Sequence, residues 1–173
     1  MYAAVLDDVR RDSSTTWVVV DSLLPARDID AELHEKVISE LAISRRALDA
    51  FLAVQRAPVD HFQRAMLPGA EWAPVSLERL DALRAASRVE AAASAAEHTS
   101  RGGGFWTQWR RAFPRASGYV ILSPASIARD GRTAMVHVRV ACGEVCGESE
   151  LRLLHRDAAG TWHTTGRVRL SES

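Results

Sequence analysis

From Gly118 onward the chain alternates apolar and polar residues with a period of two, in the stretches GYVILSPASIA, TAMVHVRVAC, ESELRLLHR and WHTTGRVRLS. Successive side chains of an extended strand point to opposite sides, so this pattern specifies strands with two chemically distinct faces. Asp130-Gly131 and the stretch DAAG at 157–160 supply turn residues between them. The pattern predicts an antiparallel meander of about four strands over 118–171.

A one-residue slip between paired strands inverts every side chain, so the register is predicted by asking which offset collects the apolar residues on one face. That test pairs Val138 with Leu151, Val136 with Leu153 and His155 with Trp162. The core face is then Ala134, Val136, Val138, Val140, Leu151, Leu153, Trp162, Val168 and Leu170. The outer face is Met135, His137, Arg139, Glu150, Arg152, Leu154, His163, Thr165 and Arg167. Arg139, Glu150 and Arg167 fall in one row of alternating charge. His137 and His163 share this outer face, two strands and two residues apart, which at ~4.8 Å per strand and ~3.3 Å per residue separates them by about 12 Å. Zinc holds its ligands at about 2 Å, so the pair predicts no shared metal.

The two cysteines, Cys142 and Cys146, lie in CGEVCG between the second and third of these strands. A four-residue connection places the sulfurs within bridging range, and closing so short a loop adds about 2 kcal/mol by chain entropy. A staple on a turn is the expectation. Free structural thiols, or a reactive or metal-binding pair, are the alternatives. A redox pair normally uses C-x-x-C at a helix start, and zinc needs two further ligands.

The first two thirds read as helices. YAAVLDDVRR forms a short amphipathic turn or two, and TWVVVDS is a β-branched run predicting a strand near 16–21. DIDAELHEKVISELAI sets Leu33, Val37, Ile38 and Leu41 at helical spacing behind Asp28 or Asp30 as N-cap. Ser44 caps SRRALDAFLAVQRA, which Pro58 ends, and SLERLDALRAA repeats the spacing at Leu77, Leu80 and Leu83. The Ala-rich and Gly-rich stretch about 85–104 has high helix propensity but few large apolar residues, predicting a surface helix fraying into a flexible loop. FWTQWRRAF then aligns Phe105, Trp109 and Phe113 with Trp106 beside them. Its rings and arginines sort to opposite sides, which predicts core packing rather than a surface for single-stranded nucleic acid.

The fold expectation is therefore α+β: N-terminal helices packed on a C-terminal antiparallel sheet of about four strands, in one domain spanning 1–173. The helical part covers about 1–117 and the meander about 118–171. The 22 basic and 22 acidic side chains cancel, so no overall field draws the protein to nucleic acid. Residues 1–100 carry 11 basic and 16 acidic side chains, a balance of −5, and the remainder carries the matching +5. No apolar run is long enough for a transmembrane helix. MYAAVLDDVRRD has acidic residues where a signal peptide needs basic and then apolar ones, so the chain as given is expected to be cytoplasmic or already processed.

The C-terminal half resembles an uncharacterised, often exported bacterial family. The resemblance rests on Trp106, Trp109, Phe113, Pro114, Gly118, Leu122, Ser123, Ala134, Val136, Val138, Cys142, Gly143, Cys146, Gly147, Leu153, Leu154, Trp162 and Ser171. It covers about 70 residues well and the N-terminal part more loosely. The Ala-rich insert, and the missing aromatic before the final serine in RVRLS, depart from it. It implies an exported origin and no activity.

No G-x-S-x-G, H-E-x-x-H or P-loop is present. The expected function is a non-enzymatic exported domain that binds a protein, glycan or envelope component. Its partner surface is predicted at Met135, His137, Arg139, Arg152, Leu154 and His163, with no cofactor and no metal. The alternatives are a small enzyme or ligand binder with a cone-shaped sheet, recruiting His155 or His61 with Asp60 as acid and base, and an inhibitor or immunity-type protein acting through its charge asymmetry.

Overall fold

The computed structural model describes residues 1–11, 16–24, 26, 29, 31–56, 72–96 and 104–172. The predicted caps at Asp28 and Asp30, the breaks at Pro25, Pro58, Pro68 and Gly69, the Asp60–His61 pair and the glycines at 102–103 lie outside these residues. The helices are α1 (Tyr2–Arg11), α2 (Ala31–Leu41), α3 (Arg45–Val54), α4 (Leu77–Ala96) and α5 (Phe105–Ala112). The strands are β1 (Thr16–Val20), β2 (Trp72–Val75), β3 (Ala116–Leu122), β4 (Ser126–Ile127), β5 (Thr133–Gly143), β6 (Cys146–Arg156) and β7 (Trp162–Glu172).

The expected antiparallel sheet of about four strands is in fact a seven-stranded mixed sheet, in the order β2-β1-β3-β5-β6-β7, with β4 also paired to β5. The β5-β6-β7 meander is antiparallel as its alternation requires, and β1 adds β2 and β3 in parallel. Two features hid the extra strands. WAPV carries no alternation and contains Pro74, which a strand accepts where it has a neighbour on one side only, as β2 has. GYVILSPASIA reads as one strand but divides at Ser123-Pro124, because proline has no N–H to donate. β4 resumes on the far side, and Gln55 Nε2 donates to the Pro124 carbonyl at 3.0 Å to hold the corner.

The register is one residue from the predicted one: Val138 faces Glu150, Val136 faces Arg152 and His155 faces His163. The prediction assumed one solvated face, whereas both faces of this sheet are packed. On one face α1 seats Val5, Leu6 and Val9 against Val136, Val138, Val140 and Leu154. On the other, α2 and α3 bury Val37, Leu41, Leu48 and Phe51 against Met135, Leu151 and Val168. Two helical layers make alternate residues of β5 and β6 buried on either side, so the collecting criterion loses its power. The hairpin sets the true offset: Gly143 pairs with Cys146 across Glu144 and Val145, with a register shift at Ala141/Gly143.

At the β2-β1-β3 end, α4 and α5 cover the second face. Trp106 and Trp109 are buried, Trp109 completely, and Phe105, Phe113 and Tyr119 pack beside them with ring centroids 4.5 to 6.1 Å apart. Such pairs contribute about 0.5–1.5 kcal/mol each beyond their area. Core packing is thus what the Trp helix does, while Arg110 and Arg111 lie exposed and Arg111 pairs with Glu90 at 3.4 Å. The stretch expected to fray from about residue 85 is helical to Ala96. Ser44 caps α3 as expected, accepting from the Ala47 amide at 3.2 Å.

Candidate functional site

Four of the six residues predicted to face a partner are interior. Met135, His137, Arg152 and Leu154 are each no more than 4% exposed, Arg139 is half-buried, and only His163 is open to solvent. They do not share a face. Met135, His137 and Arg139 sit on the α2–α5 side, whereas Arg152 and Leu154 point towards α1. The predicted ladder of Arg139, Glu150 and Arg167 dissolves with the register.

His137 and Ser149 meet beneath the helices, with Nε2 and Oγ 2.6 Å apart and the serine 2% exposed. Each satisfies the other, which offsets the cost of burying two polar groups. The correct register alone brings them together, since His137 stands opposite Leu151 and Ser149 opposite Arg139. Above them lies a depression of about 350 Å³, lined in part by Tyr119, Arg139, Ser149 and Ser171.

Cys142 and Cys146 form a disulfide, with Cα atoms 5.1 Å apart, at the end of the β5–β6 hairpin. Val145 at the tip is 90% exposed. Reduction is expected to cost about 2 kcal/mol by loop entropy, lowering the melting temperature by roughly 4–8 °C while the sheet stays folded. Thermal scans with and without reductant measure this, alongside the intact mass after alkylation. An unchanged scan contradicts it.

Arg152 is the most deeply enclosed charged residue among the described residues, 1% exposed. Its Nε donates to Glu150 Oε2 at 3.1 Å, its Nη2 lies 3.0 Å from the same oxygen, and its Nη1 donates to the Val5 carbonyl at 3.1 Å. Asp8 of α1 stands 3.8 Å from Arg152 and 3.2 Å from Arg167. This network locks α1 to the sheet. Tyr2 Oη adds a second tie, donating to the Ser123 carbonyl at 3.2 Å and accepting from the Ala125 amide at 3.0 Å.

His163 pairs outwards, its Nε2 standing 2.9 Å from Asp157 in the β6–β7 turn. That hydrogen bond, followed by the Thr161 amide, holds the Asp157 carboxyl below its ordinary value of 3.8. Asp130 in the β4–β5 turn is held below 3.8 likewise, first by the Arg132 amide. A lowered carboxyl pKa favours the folded turn above the unfolded value and loses that preference as pH falls through the folded one. The Thr161 and Arg132 amide NMR signals are therefore expected to move upfield as the pH falls below about 4. The absence of any upfield movement below that value contradicts the assignment.

A largely apolar groove of about 340 Å³ lies between α3 and the corner of β4 and β5. Ile43, Ala47 and Ala50 form one wall, Ile127 and Ala128 the other, and Met135 and Leu153 are among the remaining lining residues. Ile127 is 56% exposed. Arg46 and Arg129 stand at the rim, both exposed. Of these residues only Met135 was predicted to face a partner; the others converge through tertiary packing of α3 on β4. Among the described residues no three His, Cys, Asp or Glu side chains cluster as a metal site would require, and no helix is long and apolar enough to cross a membrane. Comparison with protein-family models, curated proteins and solved structures finds no match.

Proposed function

We propose that this protein is a non-enzymatic exported binding domain whose recognition site is the groove between α3 and β4. The observation that carries the reading is a concave, largely apolar opening that exposes Ile127 between two rim arginines. Ligand and partner sites combine apolar walls with a few placed polar groups in this way. Export is supported by the Cys142–Cys146 bridge, since disulfides persist in oxidising compartments. The partner is a protein or envelope component.

A second reading, a small ligand-binding or enzymatic domain, draws on the depression beside the His137–Ser149 pair. Nucleophile and base within hydrogen-bond reach are the starting geometry for such chemistry. One amide-resolved NMR screen with small fragments and short peptides separates the two. Shifts clustered at Ala47, Ile127 and Ala128 support the first reading; shifts clustered at Tyr119, Ser149 and Ser171 replace it with the second.

A further inference from the structure

We infer that the groove takes an extended peptide segment of a partner protein, apolar at alternate positions and carrying carboxylates, which adds to β4 as a further strand. The inference rests on reading the groove as the recognition site, and it specifies the binding mode and the chemistry of the occupant.

The mode follows from how the sheet treats its edges. An unpaired strand edge offers a row of N–H and C=O groups to any extended chain, and folded proteins blunt such edges. β2 carries Pro74, and β7 carries the exposed Arg167 and Arg169, with Lys36 Nζ donating to the Arg169 carbonyl at 2.8 Å. β4 is blunted only by its two-residue length and carries neither a proline nor a charged side chain. It pairs with β5 and with no other strand among the described residues, and it consists of Ser126 and the exposed Ile127. A strand added here would hydrogen-bond through its main chain and place alternate side chains against the α3 wall.

The chemistry follows from charge. Among the described residues Arg46 and Arg129 have no ion-pair partner and no carboxylate lines the groove. The nearest acid in sequence, Asp130, is turned to the amides of Arg132 and Thr133 at 2.8 and 3.2 Å. A volume of about 340 Å³ admits a few apolar side chains between two cationic posts. Acidic residues flanking an apolar one complement that arrangement, and basic ones oppose it.

The test titrates the intact protein with terminally blocked seven-residue peptides alternating leucine with glutamate, followed by amide NMR shifts. The same peptides with lysine for glutamate, and an apolar fluorescent dye, serve as comparisons. The acidic peptide is expected to shift the amides of Ile127, Ala128 and Ala47, to slow hydrogen exchange at β4, and to bind more weakly as salt rises. The double variant Arg46→Glu with Arg129→Glu alters exposed side chains only. It should keep its melting temperature and bind the acidic peptide at least about tenfold more weakly. Equal binding of the lysine peptide overturns the acidic chemistry and leaves the groove standing. Dye binding in the groove without peptide binding overturns strand addition alone. No binding by any probe overturns the recognition site as well. A dimer that the double variant dissolves, with no peptide effect, assigns the groove to a second copy of the chain and overturns the inference.

Discussion

Replacing Arg152 with alanine is expected to cost about 3–5 kcal/mol of folding free energy, because breaking a buried ion pair leaves the remaining charge uncompensated. Glu150 is 7% exposed and takes two contacts from this guanidinium, and the Val5 carbonyl loses its donor. At about 2–4 °C per kcal/mol for a domain of this size, the melting temperature falls by roughly 6–20 °C. Asp8 fares better, since Arg167 stays 3.2 Å away. A paired replacement of Arg152→Met with Glu150→Leu removes both charges and keeps apolar volume, so it is expected to recover most of the loss. Urea midpoints of the three proteins measure both effects. A loss below about 1 kcal/mol in Arg152→Ala would mean that α1 does not depend on the network.

Gly118→Ala is expected to be comparably damaging for a different reason, with a loss of at least about 3 kcal/mol. A Cβ at this position would meet the Ala141 carbonyl oxygen at 2.0 Å, with the Ala141 carbonyl carbon and the Cys142 Cα both at 2.9 Å. All three are backbone atoms of β5, so no side-chain rotation relieves the overlap, and the strand pair beside the disulfide must separate. Gly131→Ala is the control. Nothing lies within 4 Å of its new methyl group, and only its φ of +67° opposes the change. That conformation costs a residue with a Cβ about 1–2 kcal/mol. If the two variants have the same denaturation midpoint, β3 and β5 are not held in close approach.

α2, α3 and the Trp helix are where helical spacing puts them, and the Ser44 cap is made, because each depends on residues within a few positions of one another. The β5-β6-β7 meander and the cysteine bridge are local in the same sense: adjacent strands joined by short turns. The parallel partners of β1, Trp72–Val75 and Ala116–Leu122, both lie far along the chain from it, and no local pattern announces them. The candidate site failed at the same step. Met135, His137, Arg152 and Leu154 look like a surface only if one face of the sheet meets water, and layers of helix on both faces removed that condition.

Period, turn chemistry and capping are properties of neighbouring residues, and they decided which stretches became helix, strand or stapled hairpin. Which strands pair, in what register, and which side chains end in the interior are decided by elements far apart in the chain packing on a shared sheet. The Arg152 network, the His137–Ser149 pair and the α3–β4 groove belong to that second group. Each joins residues from separate strands, or from a helix and the sheet, so each exists only once burial has chosen the arrangement that removes the most apolar surface from water.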